Sequence, residues 1–148
     1  MRKVDWIVIH CTAGPQDQTT KAIKDYWKSL GWSKVGYHKL ISKDGSYEVL
    51  SDDENPTNGV KGYNSNSVHI CYKGGVKDGK PFDTRTEAQK ATMIELVKSY
   101  MSKYPTAVVR GHRDFSPDKN RDGVVSPNEW MKACPSFSVT AWLRENGY

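Results

Sequence analysis

Two kinds of candidate metal ligand occur in the segment 108–137, VVRGHRDFSPDKNRDGVVSPNEWMKACPSF. His112 and Cys134 offer an imidazole and a thiolate, which suit zinc. Between them, residues 118–129 offer hard oxygen ligands at the spacing of a calcium loop. A further zinc-type ligand, His10, follows an apolar run near the start of the chain. These residue types indicate metal-assisted chemistry at one site and a structural ion at another.

The zinc-type ligands all fall at the ends of predicted elements. His10 ends the first predicted strand, His112 ends a later one, and Cys134 precedes the last predicted helix. Strand ends along one edge of a sheet are where α/β proteins gather a site. Two imidazoles and a thiolate leave the fourth tetrahedral position of zinc to water, as in catalytic sites. The spacing alone leaves alternatives open: His10 as a hydrogen-bonded core histidine, and Cys134 as a small buried hydrophobe or a direct nucleophile.

Strands and helices alternate along the chain. Strands are predicted at 4–10, 68–75 and 106–112, and a hairpin at 35–50 turns through Lys43–Gly45. The pattern predicts an α/β fold, a single domain over 1–148 with a central mixed sheet flanked by helices.

Three helices are predicted, at 19–32, 86–104 and 138–146. Thr86 and Gln89 form a capping box for the second, and Ser138 caps the third. The predicted apolar faces are Ile23, Tyr26, Trp27 and Leu30 on the first helix, and Ile94, Val97, Met101 and Tyr104 on the second.

Composition narrows the class of partner. The net charge of +5 favours anionic partners such as a cell-wall polymer, but no Lys/Arg block is dense enough to predict nucleic-acid binding. Three distant cysteines argue against a disulfide framework and fit a reducing compartment or a metal ligand. The first residues are typical of a buried strand and not of a signal peptide, and no run approaches transmembrane length.

Several motifs together resemble a known family. IVIHCTAG, GWSKVGYHKLISKDG, GYNSNSVHICYKGG, VVRGHRD and KACPSF occur in the order and rough spacing of the zinc-dependent N-acetylmuramoyl-L-alanine amidases. That family includes phage endolysins and the peptidoglycan-recognition proteins, and the motifs look most similar to the phage or prophage enzymes. The resemblance implies the amidase fold and hydrolysis of the amide between N-acetylmuramic acid and L-alanine of the stem peptide.

The same resemblance assigns site residues. It makes His10, His112 and Cys134 the zinc ligands, and Tyr37 and Lys132 the catalytic helpers. Zinc lowers the pKa of bound water to about 7 and so supplies hydroxide near neutrality. Lys132, two residues before Cys134, suits stabilisation of the oxyanion. Whether Tyr37 moves a proton stays open, because an unperturbed phenol is a poor base at neutral pH.

The oxygen-rich segment 118–129 matches the pattern D-x-N-x-D-G-x5-E in full. Its expected calcium ligands are Asp118, Asn120, Asp122, the carbonyl of Val124, and Glu129. No helix is predicted to enter the loop, and Lys119 and Arg121 bring positive charge into it. The alternative is an ion-free short helix that Ser126, Pro127 and Glu129 would start. We expect a structural loop, an insertion that fixes where Lys132 and Cys134 lie.

The other candidate residues are expected to be structural. His38 follows Tyr37 on a predicted strand and should point to the opposite face, and Cys11 should likewise face away from His10. His69 stands where related amidases carry a small or apolar residue, and we interpret it as structural.

The expected protein is a monomeric peptidoglycan amidase without membrane insertion. It would stay cytoplasmic until lysis or a holin-type pore releases it to the wall. Two alternatives are a non-catalytic peptidoglycan-binding module of the same fold and a calcium-dependent interaction domain that is indifferent to zinc.

Overall fold

A five-stranded mixed sheet organises the residues that the computed structural model describes, which are 2–116, 121 and 133–148. Its strands in spatial order are β3 (Tyr47–Val49), β2 (Lys39–Ile41), β4 (Ser67–Tyr72), β1 (Trp6–Cys11) and β7 (Val108–Gly111). β1 runs parallel to both β4 and β7, β2 runs parallel to β4, and β3 is antiparallel to β2. A separate antiparallel pair consists of β5 (Val76–Lys77) and β6 (Lys80–Pro81). The mixed sheet and the α/β class predicted from the sequence are confirmed.

The two central strands are buried because their sequences are apolar on both faces. β1 reads WIVIHC and β4 reads SVHICY, and every residue of β4 is buried. Parallel strands covered on both sides need such near-continuous apolar runs. Each strand nevertheless carries one histidine, His10 in β1 and His69 in β4, and each must find a polar partner inside the protein.

In the part of the chain that the structure describes, three α-helices cover the sheet, and side chains cap each of them. α1 (Thr20–Ser29) begins at Thr19, whose hydroxyl accepts from the N–H of Ala22. α2 (Glu87–Lys103) has the predicted capping box. α3 (Val139–Glu145) begins at Ser138, as predicted. Among the described residues, no helix combines the length and apolarity that crossing a bilayer would need.

The predicted apolar face of α1 is partly wrong. Ile23 and Trp27 are buried, but Tyr26 is 60% exposed and Leu30 is 47% exposed. Trp27 packs closely over Gly36, where an added Cβ would lie 2.9 Å from the indole ring, and Ile23 packs in the same cluster. The helix therefore leaves its outer apolar residues in solvent.

The buried face of α2 is rotated from the predicted one. Val97 and Tyr104 are buried as expected, but Ile94 and Met101 are only partly buried. Their places against the sheet belong to Met93, Leu96 and Tyr100. Apolar residues lie on both sides of Val97, so the helical period alone does not determine which stripe meets the sheet.

The core lies on both sides of the sheet. The larger cluster contains Ile7, Ile9 and Cys11 of β1 together with side chains of α2 and α3. The smaller cluster consists of Ile23, Trp27, Leu40 and Cys71, on the α1 side. Because side chains alternate along a strand, His10 faces the α1 side, opposite to Ile9 and Cys11.

Candidate metal centre

The three predicted zinc ligands come together at one edge of the sheet. In the parallel pair of β1 and β7, Ile9 lies opposite Gly111, and His10 and His112 are the next residues along each chain. Their ring centroids are 4.9 Å apart. Cys134 arrives from the loop before α3, and its Sγ lies 3.9 Å from Nδ1 of His10.

The geometry and the donor types fit a zinc ion. One ligand atom from each of His10, His112 and Cys134 can be chosen so that all lie within 4.8 Å of one another. Tetrahedral zinc with bonds of about 2.0–2.3 Å places ligand atoms roughly 3.3–3.6 Å apart, so the site needs to contract by only about 1 Å. His10 is buried, whereas the other two ligands are half-buried and leave one side of the site accessible.

Hydrogen bonds hold the cysteine loop against β1, β4 and the residues that follow β7. The N–H of Cys11 donates to Sγ of Cys134 at 3.1 Å, and the N–H of Arg113 donates to the carbonyl of Cys134 at 2.8 Å. The hydroxyl of Tyr72 donates to the carbonyl of Pro135 at 2.6 Å. Gly111 permits this approach, because an added Cβ would lie 2.9 Å from the ring of Pro135.

The environment of Cys134 disfavours its use as a free nucleophile. Burial, reinforced by the neighbouring Cys11 thiol, raises the pKa of the Cys134 thiol well above its usual range. A thiol that stays protonated at neutral pH attacks poorly. A bound metal reverses this effect, because a coordinating thiol gives up its proton.

Tyr37 lies two residues before β2, and its ring is close to the metal ligands. Its ring centroid is 4.9 Å from that of His10 and 5.4 Å from that of Trp27. Burial raises the pKa of the Tyr37 phenol well above its usual range, with a further contribution from Cys71. The phenol is therefore a hydrogen-bond donor at neutral pH and not a base.

His38 lies apart from the ligands, in the core. Its Nδ1 accepts from the N–H of His69 at 3.0 Å, and its Nε2 donates to the carbonyl of Asn55 at 2.7 Å. Burial lowers the pKa of His38 from 6.5 to about 4.

His69, interpreted from the sequence as structural, directly contacts the site. Its Nδ1 lies 2.8 Å from Nε2 of His10, within hydrogen-bonding distance. Burial lowers the pKa of His69 well below its usual range, so the ring is neutral. A sequence signal existed, because a histidine in the middle of the buried run SVHICY needs a polar partner.

Lys132 and the predicted calcium ligands lie outside the described residues. The predicted calcium ligands outside the described residues are Asp118, Asn120, Asp122, Val124 and Glu129. Their assignments stay predictions from the sequence.

A groove of about 590 Å³ opens beside the ligands. The segment 58–64 and Trp32 form one part of its lining, and His112, Phe115 and Ser116 form another. His112 thus belongs to both the ligand cluster and the groove, so a molecule bound in the groove lies next to the metal position.

Comparisons with known proteins agree on one family. The family model for N-acetylmuramoyl-L-alanine amidase matches residues 1–136. The endolysin of Escherichia phage T7 is 34% identical over 145 residues, which cover 96% of this chain and 87% of the relative. The amidase LysCS from Clostridium intestinale has a similar structure, with a TM-score of 0.76 at 21% identity over 98% of this chain and 84% of the other. Bumblebee PGRP-SA gives a TM-score of 0.72 at 18% identity, covering 97% and 82% of the two chains.

The two structural matches show the shared fold, and the sequence matches go further. A family model over most of the chain and a relative at 34% identity agree with the motifs identified in the sequence. The chain therefore belongs to the N-acetylmuramoyl-L-alanine amidase family and is a peptidoglycan-hydrolysing enzyme of the phage endolysin type.

Proposed function

We propose that this amidase depends on zinc bound by His10, His112 and Cys134, with Tyr37 and Lys132 acting on the substrate. The observation that carries the proposal is the convergence of three zinc-type ligand atoms within 4.8 Å, although His10 is far in sequence from His112 and Cys134. The family to which the chain belongs is typically zinc-dependent.

The substrate class explains what the chain's own residues must do. Hydrolysis of an amide needs a nucleophile, stabilisation of the tetrahedral oxyanion and a proton for the leaving amine. Zinc at the three ligands would supply a Lewis acid and lower the pKa of water to about 7. The groove lined by 58–64 and His112 binds the muropeptide so that its scissile amide lies at the ligand cluster.

Two residues are assigned the role of stabilising the negative charge that develops on the substrate oxygen. Tyr37 is protonated at neutral pH and lies beside His10, so it donates a hydrogen bond to the developing oxyanion. Lys132, two residues before Cys134 in the sequence, brings a positive charge to the same oxygen. Neither residue needs to accept a proton in these roles.

The loop 118–129 is assigned a structural role with calcium as its ion. The support is the complete D-x-N-x-D-G-x5-E pattern in the sequence. A rigid loop at this position would limit the conformational entropy of Lys132 and Cys134, which follow it. We further propose that the chain acts as a monomer, comes from a phage or prophage, and reaches the wall from the cytoplasm when the membrane is breached. The similarity to phage endolysins supports this route.

The test combines metal analysis with product analysis. Purified protein should contain one zinc ion per chain. It should also generate stem peptides with a free N-terminal alanine from isolated peptidoglycan, which we call alanine release, without new reducing sugar ends. Cys134→Ser should lose both the zinc and the alanine release. Alanine release that persists in the variant without zinc would contradict the proposal, and peptidoglycan binding without alanine release would indicate the non-catalytic module.

A further inference from the structure

Hydrogen-bonded groups form a continuous line from the groove to the metal ligands. The backbone N–H groups of Gly59 and Val60 donate to Oδ1 of Asn64 at 3.0 and 2.8 Å. Nε2 of His69 lies 3.1 Å from the same oxygen, and Nδ1 of His69 lies 2.8 Å from Nε2 of His10. We call this series the Asn64–His69–His10 relay.

The backbone determines the direction of every bond in the relay. The amides of Gly59 and Val60 can only donate, so the atom that they meet must be the Asn64 oxygen and not its nitrogen. An acceptor oxygen requires His69 to carry its proton on Nε2. The neutral His69 ring then has its lone pair on Nδ1, and His10 must donate from Nε2.

This direction determines which nitrogen of His10 faces the metal. With its proton on Nε2, neutral His10 has a lone pair on Nδ1, the atom 3.9 Å from Sγ of Cys134. A metal ligand needs that lone pair. If His10 carried its proton on Nδ1 instead, the proton would point into the ligand cluster.

Close packing keeps the His69 ring in place. An added Cβ on Gly59 would lie 2.3 Å from Nδ1 of His69, so glycine makes room for the ring. The His38 ring also stacks on the His69 ring, with centroids 5.8 Å apart and planes at 14°. The backbone N–H of His69 also donates to Nδ1 of His38. The ring therefore has little freedom to turn away from His10.

We propose that His69 is a positioning residue that holds His10 in the tautomer required for metal binding. The inference rests on the proposed zinc site, but it concerns a residue outside the ligand set. Hydrogen-bond partners of metal-bound histidines fix the ring orientation and raise its basicity, and their loss commonly weakens metal binding about 10–100-fold.

The first experiment reads the tautomers directly in metal-free protein. Long-range proton–nitrogen NMR should show His10 and His69 both protonated at Nε2. In His69→Leu the side chain at position 69 cannot accept a hydrogen bond, so His10 should populate both tautomers instead of the Nε2-protonated one alone. A His10 ring protonated at Nδ1 in the metal-free wild-type protein would overturn the proposal, whether or not the protein proves to bind zinc.

The second experiment measures zinc affinity by competition with a chelator. His69→Leu should raise the dissociation constant about 10–100-fold. His69→Gln, whose amide can accept from His10 and donate to Asn64, should recover most of the loss. Val68→Ala is the matched control, because Val68 is buried next to His69 on the same strand but packs in the cluster on the opposite face.

The outcomes separate this inference from the zinc site itself. Wild-type protein that binds no zinc would overturn the proposed function. Wild-type protein that binds zinc, with His69→Leu binding it equally tightly, would overturn only the role of His69. Equal weakening by Val68→Ala and His69→Leu would show a general loss of stability and would also count against the relay.

Discussion

The backbone N–H of Cys11 donates a hydrogen bond of 3.1 Å to Sγ of Cys134, a residue 123 positions further along the chain. This bond joins the strand that carries His10 to the loop that carries the third ligand. Because the donor is a main-chain amide, the contact does not depend on the side chain at position 11. The Cys11 side chain faces away from His10 and packs in the core, where its Sγ lies 3.9 Å from Oγ of Ser136.

The two neighbouring cysteines should therefore respond differently to substitution. We expect Cys11→Ala to keep one zinc ion per chain, at a cost of about 1 kcal/mol in unfolding free energy for the lost buried sulfur. Cys134→Ser should lose the zinc while remaining folded. Metal analysis by mass spectrometry, with circular dichroism as the check on folding, measures both. Equal zinc loss in two folded variants would show that the Cys11 thiol also belongs to the site.

Tyr37→Phe should impair catalysis without removing the metal. The phenol stays protonated at neutral pH, so the variant loses a hydrogen-bond donor to the oxyanion. Removing one such donor typically lowers kcat about 10²–10³-fold. Initial rates of alanine release and the zinc content should be measured together.

The matched control is Tyr26→Phe, which removes the same hydroxyl from a residue that is 60% exposed on α1. That variant should keep the wild-type rate. A Tyr37→Phe enzyme with unchanged kcat, or one that loses its zinc, would contradict the assigned role.

Local sequence signals predicted most of the fold. Apolar runs located β1 and β4, and the caps at Thr86 and Ser138 located the starts of two helices. These features depend on neighbouring residues alone. The nearness of His10 and His112 agrees with a general rule, because the ends of parallel strands share one edge of the sheet. The choice of these two histidines with Cys134 as a ligand set came from the resemblance to the amidase family.

Features that depend on register between distant elements could not be predicted. The buried stripe of α2 differs from the predicted one because either apolar side of Val97 satisfies a helical period. The contact of His69 with His10 arises from the pairing of β1 with β4, which places Val8 opposite His69 and His10 opposite Cys71. The sequence marked His69 as a buried polar residue, but only this pairing identifies its partner.

Lys132→Ala should lower kcat and leave zinc binding unchanged. The ammonium is assigned the role of stabilising negative charge on the substrate oxygen, which lowers the barrier by several kcal/mol in comparable sites. We therefore expect kcat to fall about 10²-fold. Lys132→Arg should restore part of the activity, because it keeps the charge. Lys98→Ala, which removes a half-exposed lysine from α2, should behave as wild type. Rates on isolated peptidoglycan that are equal for Lys132→Ala and Lys98→Ala would show that Lys132 is a solvated surface residue.

Calcium should stabilise the protein through the loop 118–129. Addition of about 1 mM calcium chloride, within the range of weak calcium loops, should raise Tm by a few degrees, and the same concentration of magnesium should not. Glu129→Gln should abolish the shift, since it removes the bidentate ligand. Adding the ion avoids a chelator that would also strip the zinc. No calcium response, together with a lower Tm in Ser126→Ala, would favour the ion-free capped helix.

Stability should fall in mild acid because of a buried histidine outside the metal site. His38 has a pKa of about 4 in the folded protein, against 6.5 when exposed, and burial is the main cause. Between these values the unfolded chain binds a proton that the folded chain does not, so unfolding becomes easier as pH falls. The stability that comes from keeping His38 neutral is fully present above pH 6.5. It is lost as pH falls to about 4, which lowers the free energy of unfolding by about 3 kcal/mol.

The measurement compares two proteins, because other groups also titrate in this range. Urea unfolding of metal-free protein at pH 7 and pH 4.5 gives the acid-induced loss of unfolding free energy for the wild type and for His38→Gln. The glutamine can still accept from the N–H of His69 and donate to the carbonyl of Asn55, the two bonds that His38 makes. The acid-induced loss of unfolding free energy should be smaller in His38→Gln than in the wild type by about 2–3 kcal/mol. The pKa of His69 is lowered in the same direction and His69 remains in both proteins, so most of its contribution cancels, because burial is the main cause of its shift. Equal losses in the two proteins would show that His38 takes up no proton on unfolding in this range.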